Sequence, residues 1–230
     1  MTAPAAGVYV PIVTAIELAI VDRLTRGLGR MVKEVKTYGG EFDDDELAEV
    51  VRRFPAAWVT FGGVRRTDAE SLSRSKWKAE ALFVVMVGAR SVRSESASRH
   101  GGANQAEVGT NLLISCVRRL LNQQDMGLPI RALAPGAIRT LFNTRTRSDA
   151  LSVYALEFHT AWSESSLFLG AFPEEDSLAP IDEVFARYGG QLDPPSPDWQ
   201  STLLRYYLQP DGQRPPDATD RVLMKGKEKS

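Results

Sequence analysis

The sequence predicts an α+β domain, with a mostly antiparallel sheet carrying helices on one face, followed by a C-terminal arm. Three observations lead there. Apolar residues recur at helical spacing in three stretches, Ile12–Leu24, Leu47–Phe54 and Leu112–Leu121. Runs with the composition of strands fall between them, ending in two that read as a hairpin rather than in repeated strand–helix units. From Ser163 onward apolar residues thin out, while acids and prolines accumulate.

Ile12, Ile16, Ile20 and Leu24 recur every fourth residue with Val13 beside them, so the first helix lays one face on a core. Arg23 falls near that face, and Gly27 and Gly29 stop the helix. MVKEVKT (31–37) reads as a short edge strand, because lysines interleave with its valines. Asp43 and Glu46 fit a capping box for a second helix with the stripe Leu47, Val50, Val51 and Phe54, which Pro55 ends. AAWVTFGGV (56–64) is the next strand, and the polar stretch Thr67–Ser75 reads as a loop.

Between Trp77 and Arg90 the pattern changes. Leu82, Val84 and Met86 point to one face, and Phe83, Val85 and Val87 to the other. A strand apolar on both faces is central and covered on both sides. Helices on one face leave the other bare, so the pattern implies cover by a neighbouring subunit, hence an assembly.

Asn104 and Glu107 fit an N-cap with its reciprocal partner. Leu112, Leu113, Cys116, Val117, Leu120 and Leu121 then trace a helical stripe flanked by Arg118 and Arg119, closed by Gly127 and Pro129. AIRTLFNTR (137–145) and ALSVYALEFHTAW (150–162) form a hairpin around Arg147, Ser148 and Asp149. Two short helices are expected beyond it, Ile181–Tyr188 and Pro197–Leu208, before the solvated tail MKGKEKS. The expected division is a domain over 1–162 and an acidic, proline-rich arm over 163–230.

Net charge is −1 over 230 residues, so the whole molecule is no general polyanion binder. The charge is uneven. Met126–Ser148 holds four arginines and no acid, whereas Ser163–Trp199 holds eight acids and one base, Arg187. Cys116 is the single cysteine, which excludes an intrachain disulfide and a cysteine-based zinc site. No basic residue precedes an apolar core at the start, and no run of ~18 uncharged apolar residues occurs, so neither a signal peptide nor a membrane span is expected. The chain reads as a soluble protein of a reducing compartment.

Signs of chemistry are sparse. GARSVRSESASRHGG is not a phosphate loop, and GLG at 27–29 lacks the third glycine of a dinucleotide fingerprint. Asp43, Asp44 and Asp45 lack the alternating oxygens and glycine turn of a calcium loop, and a helix start explains them. The four tryptophans are scattered and read as core or interface anchors. Glu157 and His159 share one strand face, as a general acid/base pair would, though they more simply form its polar side. No catalytic, cofactor-binding or metal residue is therefore assigned, and no enzymatic activity is expected.

The arginines admit three explanations: phosphate clamps, a solvated face, or a charged protein–protein seam in which arginine pairs bidentately with carboxylates. The chain's own acids lie elsewhere in the sequence, which favours the seam. Arg90, Arg93, Arg99, Arg139, Arg145 and Arg147 are its candidate residues, making intersubunit or tube contacts under the assembly described next.

The segments IVTAIELAIVDRL, FDDDELAEVVRRFPAAWVTFGG, FVVMVGARSVRSESASR and VGTNLLISCVRRLLNQ, with the closing hairpin, resemble in order and character the tail terminator (tail completion) proteins of Mu-like contractile-tail phages, over residues 8–162. The resemblance implies a structural virion protein at the tail–neck junction, assembled in the host cytoplasm. Proteins of that family form a homo-hexameric ring on the head-proximal end of the tail tube, stop polymerisation, and join the tail to the neck. DNA only passes through the channel, and no membrane or cofactor is involved. The segment 163–230 departs from a minimal member, with sheath, neck or a neighbouring subunit as its conceivable partners. Two alternatives stay open: a head-completion or connector protein between portal and tail, and a small hydrolase or nuclease using Glu157 and His159.

Overall fold

A computed structural model describes residues 9–39, 53–91, 99–100, 108–145, 150–195, 201–207 and 218–223. The chain divides into two compact units, 1–169 and 170–230. The first is an α+β unit on a five-stranded mixed sheet. Its strands are β1 (Glu34–Thr37), β2 (Ala56–Ala69), β3 (Lys76–Ser91), β4 (Ala134–Arg145) and β5 (Ala150–Ser165), in the order β1-β2-β3-β5-β4. Only the β1–β2 pair is parallel.

Helix α1 (Ile12–Leu28) buries Ile16, Ile20, Val21, Leu24 and Leu28, and Gly29 caps its end. Helix α2 (Thr110–Leu121) buries Thr110, Leu113, Val117 and Leu121. Both lie on one face of the sheet, α1 against β1 and β2, α2 against β3 and β5. They close the main core with Val59, Phe83, Val85, Val87, Leu156 and Phe158. Arg23, at the margin of the α1 stripe, donates from Nε to the Leu120 carbonyl at 2.6 Å and so ties the two helices together.

The opposite face carries a second cluster, Phe54, Ala56, Trp58, Met86, Leu151, Val153 and Ala155. Here the sequence expectation needs correction. Trp58 is 0% and Met86 only 6% exposed within a single chain. The doubly apolar strand is central, as expected, but its second face is already covered without a neighbouring subunit. At Gly88 the covering is tight: an added Cβ would lie 2.5 Å from Cε1 of the buried Phe54 ring. Gly88→Ala is expected to cost about 1–3 kcal/mol, because the ring has no space to retreat; a denaturant midpoint equal to wild type would contradict it.

Several boundaries differ from those expected, each for a physical reason. β2 continues through Thr67–Ala69, where a loop was expected. This stretch pairs with β3 through the register Arg66↔Glu80 and Asp68↔Lys78, so charge pairing rather than apolar alternation accompanies it. β5 runs to Ser165, pairing with Lys76, so residues 163–165 extend the sheet past the expected domain limit. α2 ends at Leu121, not near Gly127. Asn122 leaves helical geometry, and Gln123 takes φ 61° as the chain turns back to bond Leu133. The helix begins after Gly109; Asn104 and Glu107 lie outside the described residues, as does the expected helix with Asp43, Asp44, Asp45 and Glu46. Leu112, placed in the apolar stripe from sequence, is 51% exposed. The strand expected over 31–37 begins at Glu34, behind a 3₁₀ turn at Gly29–Met31.

In the second unit, α3 (Asp182–Arg187) matches the first expected short helix. The second does not form: Ser201–Tyr206 is strand β6, paired antiparallel with β7 (Ala218–Leu223). Thr202, Tyr206 and Tyr207 suit a strand, and the partner, more than ten residues away, gives the local pattern no warning.

Candidate interface at one end of the sheet

The register of the sheet brings two of the sequence-selected arginines, Arg90 and Arg145, to one end. Arg90 pairs with Leu151, Ser91 with Ala150, and Ala150 in turn with Arg145. The ends of β3 and β4 and the start of β5 therefore form one row at one end of the sheet. Arg90 is exposed there. Arg145 reaches the same row by its backbone position. Arg93 and Arg147 lie outside the described residues.

A pair of hydroxyls fixes α2 over the same end. Thr110 and Ser152, both 0% exposed, are 3.1 Å apart and hydrogen-bonded. Ser152 pairs with Ala89, one residue before Arg90. The α2 N-terminus is thus pinned above the row, and Asn111 Nδ2 lies 3.4 Å from His100 Nδ1. Arg99 precedes that histidine; it is half-buried, and its Nε is shielded from solvent with no hydrogen-bond partner in this chain. Sequence analysis missed the Thr110–Ser152 contact, since two hydroxyls 42 residues apart leave no periodic or compositional trace.

Arg139 stands apart from this group. It lies mid-strand on β4, and its Nε is 3.2 Å from Glu157 Oε1. The guanidinium is 68% exposed and the carboxylate 12%. The pair is an internal bond across the β4–β5 edge, with a solvent-facing arginine left for further contacts.

Glu157 and His159 do share a face, but no hydrogen bond joins them. Glu157 is engaged by Arg139, and His159 lies against Gly136, where an added Cβ would fall 2.6 Å from its Nε2. Beyond them the same face carries further ion pairs: Arg66 with Asp68 two residues along β2 at 2.6 Å, and Glu80 with Lys78 two residues back along β3 at 3.9 Å and with Arg131 before β4 at 3.4 Å. Arg66 titrates above its ordinary value because it donates to Asp68 and feels that charge. Among the described residues, no group of three or more His, Cys, Asp or Glu is placed to hold a metal ion. No helix among them is long and apolar enough to cross a membrane.

A family model described as Bacteriophage Mu, Gp37 matches residues 12–163. The chain belongs to that family. No curated protein matches it significantly. The matched span opens at the first residue of α1 and closes two residues before the end of β5. It covers nearly all of the sheet and both helices upon it, while the acidic segment from 170 lies outside. This Gp37-family chain is a Mu-like phage protein of the structural, virion class. The earlier resemblance pointed to the same phage type.

Proposed function

We propose that this Gp37-family protein is a tail terminator. As a homo-hexameric ring it caps the head-proximal end of the tail tube, ends polymerisation and forms the joint to the neck, without catalysis or a cofactor. The observation that carries this reading is the match to the Mu family over nearly all of the helix-covered sheet. The sheet end supports it: Arg90 and the backbone of Arg145 share one row. Arginine on a surface that becomes desolvated pairs well with a partner's carboxylates. A ring requires heterologous contacts that close.

Tail tubes assembled with and without the purified protein decide the matter. With it, tubes are expected to stop growing and to show, in negative stain, a ring at one end. The mass of the protein should correspond to a hexamer, alone or on the tube. Continued tube growth, with the protein instead retained by portal complexes, would move it to the connector role. Hydrolysis of a phosphodiester or ester lost on His159→Ala, in a variant that assembles normally, would place it among enzymes.

A further inference from the structure

We propose that the outer margin of the helix-bearing sheet face, beside α2 and over β4, is a docking shelf for the acidic segment 172–188 of a second copy of this chain. Among the described residues, two helices of more than two turns pack on the five strands. α1 lies over β1 and β2, α2 over β3 and β5, and neither covers the edge strand β4. Ile138, paired with the buried Leu156 and so on the helix side, is consequently 41% exposed. Leu141, next in the β4 bulge to Thr140, whose partner Tyr154 packs on the helix-side core, is also 41% exposed. Along the inner side of this margin, Arg118 bridges from α2 to the Gly136 carbonyl at 3.4 Å, and Arg119 stands exposed one residue on. Neither α2 nor the stretch 126–148 contains an acid. The shelf is apolar with a cationic border.

The segment 172–188 has the inverse character. Phe172, Leu178, Ile181, Phe185 and Tyr188 are 43%, 98%, 44%, 44% and 82% exposed, and none of its large apolar side chains is buried. Ile181, Phe185 and Tyr188 fall at i, i+4 and i+7 across α3 and its two caps, the spacing with which a short amphipathic helix fills a groove. Around them stand Glu174, Glu175, Asp176, Asp182 and Glu183, against the single base Arg187. Charge complementarity selects the occupant. Two shelves facing each other would oppose Arg118 and Arg119 to their own copies, which costs free energy, whereas the acidic segment meets them with carboxylates. Because two different surfaces meet, each copy keeps one free shelf and one free segment, so the contact propagates until it closes. The inference does not depend on the tail-cap reading.

Two full-length variants test it, Ile138→Asp (shelf) and Phe185→Asp (segment), with Leu141→Asp as the replacement should the first not fold. Both sites are exposed, so circular dichroism and melting should match wild type. In sedimentation velocity, wild type should self-associate, and each variant alone should do so about tenfold or more weakly. Mixing the two variants should give a 1:1 complex that grows no further, since only one intact shelf and one intact segment remain. A wild type that is monomeric at every concentration, a variant that associates as wild type does, or a mixture of folded variants that stays monomeric would each overturn the proposal. None of these outcomes bears on tube capping, which is read separately on tail tubes.

Discussion

Trp58→Ala is expected to lower the stability of the isolated chain by about 3–5 kcal/mol, the range for emptying a large aromatic site in a packed interior. Trp58 is fully buried on the sheet face away from the helices, with its ring edge-on to Phe54 at 5.8 Å and 65°. Met86, its register partner, belongs to the same cluster. Removing the indole leaves a cavity that β-sheet neighbours cannot collapse into without breaking register. The change should show as a lower denaturant midpoint that is independent of protein concentration. A midpoint loss that appears only at concentrations where the protein associates would mean that the second face is completed by a neighbour rather than within the chain.

Replacing Arg90, Arg93 and Arg99 together with serine is expected to act in the opposite way, leaving melting nearly unchanged and weakening ring formation or tube capping. Arg90 is exposed at the sheet end, where an arginine contributes little to the monomer. Pairs desolvated in an interface contribute more, so individual losses of about 0.5–3 kcal/mol in association are expected. The weakening should grow with salt if the remaining contacts are also ionic. If the arginines instead line the channel, rings and caps form normally and only DNA passage or ejection suffers. Normal assembly, capping and infectivity in the triple variant would return them to a solvated surface.

The sequence by itself determined the local elements whose burial pattern repeats. α1 and the central part of β3 follow from apolar spacing of four and of two, and the hairpin β4–β5 from two strand-like runs joined by a short polar link. These patterns are legible because each residue's environment there depends mainly on its own element. The family's phage type was also legible, carried by the order of those elements.

The tertiary structure alone decided what depends on partners distant in sequence. The outer ends of β2 and β3 are polar and look like loop, and only the cross-strand placement of Arg66, Asp68, Lys78 and Glu80 accounts for them. The strand β6 exists because β7 pairs with it. Sequence placed a neighbouring subunit over the second face of β3, whereas Phe54 and Trp58 of the same chain, from another strand and the residues before it, cluster there with Met86. For the candidate site, sequence supplied the arginines, but register brought residues 90 and 145 into one row and set Arg139 apart against Glu157. A pattern along the chain records which way a side chain points. Which other side chain it meets is set by pairing and packing, and it is in those meetings that this molecule's interfaces are made.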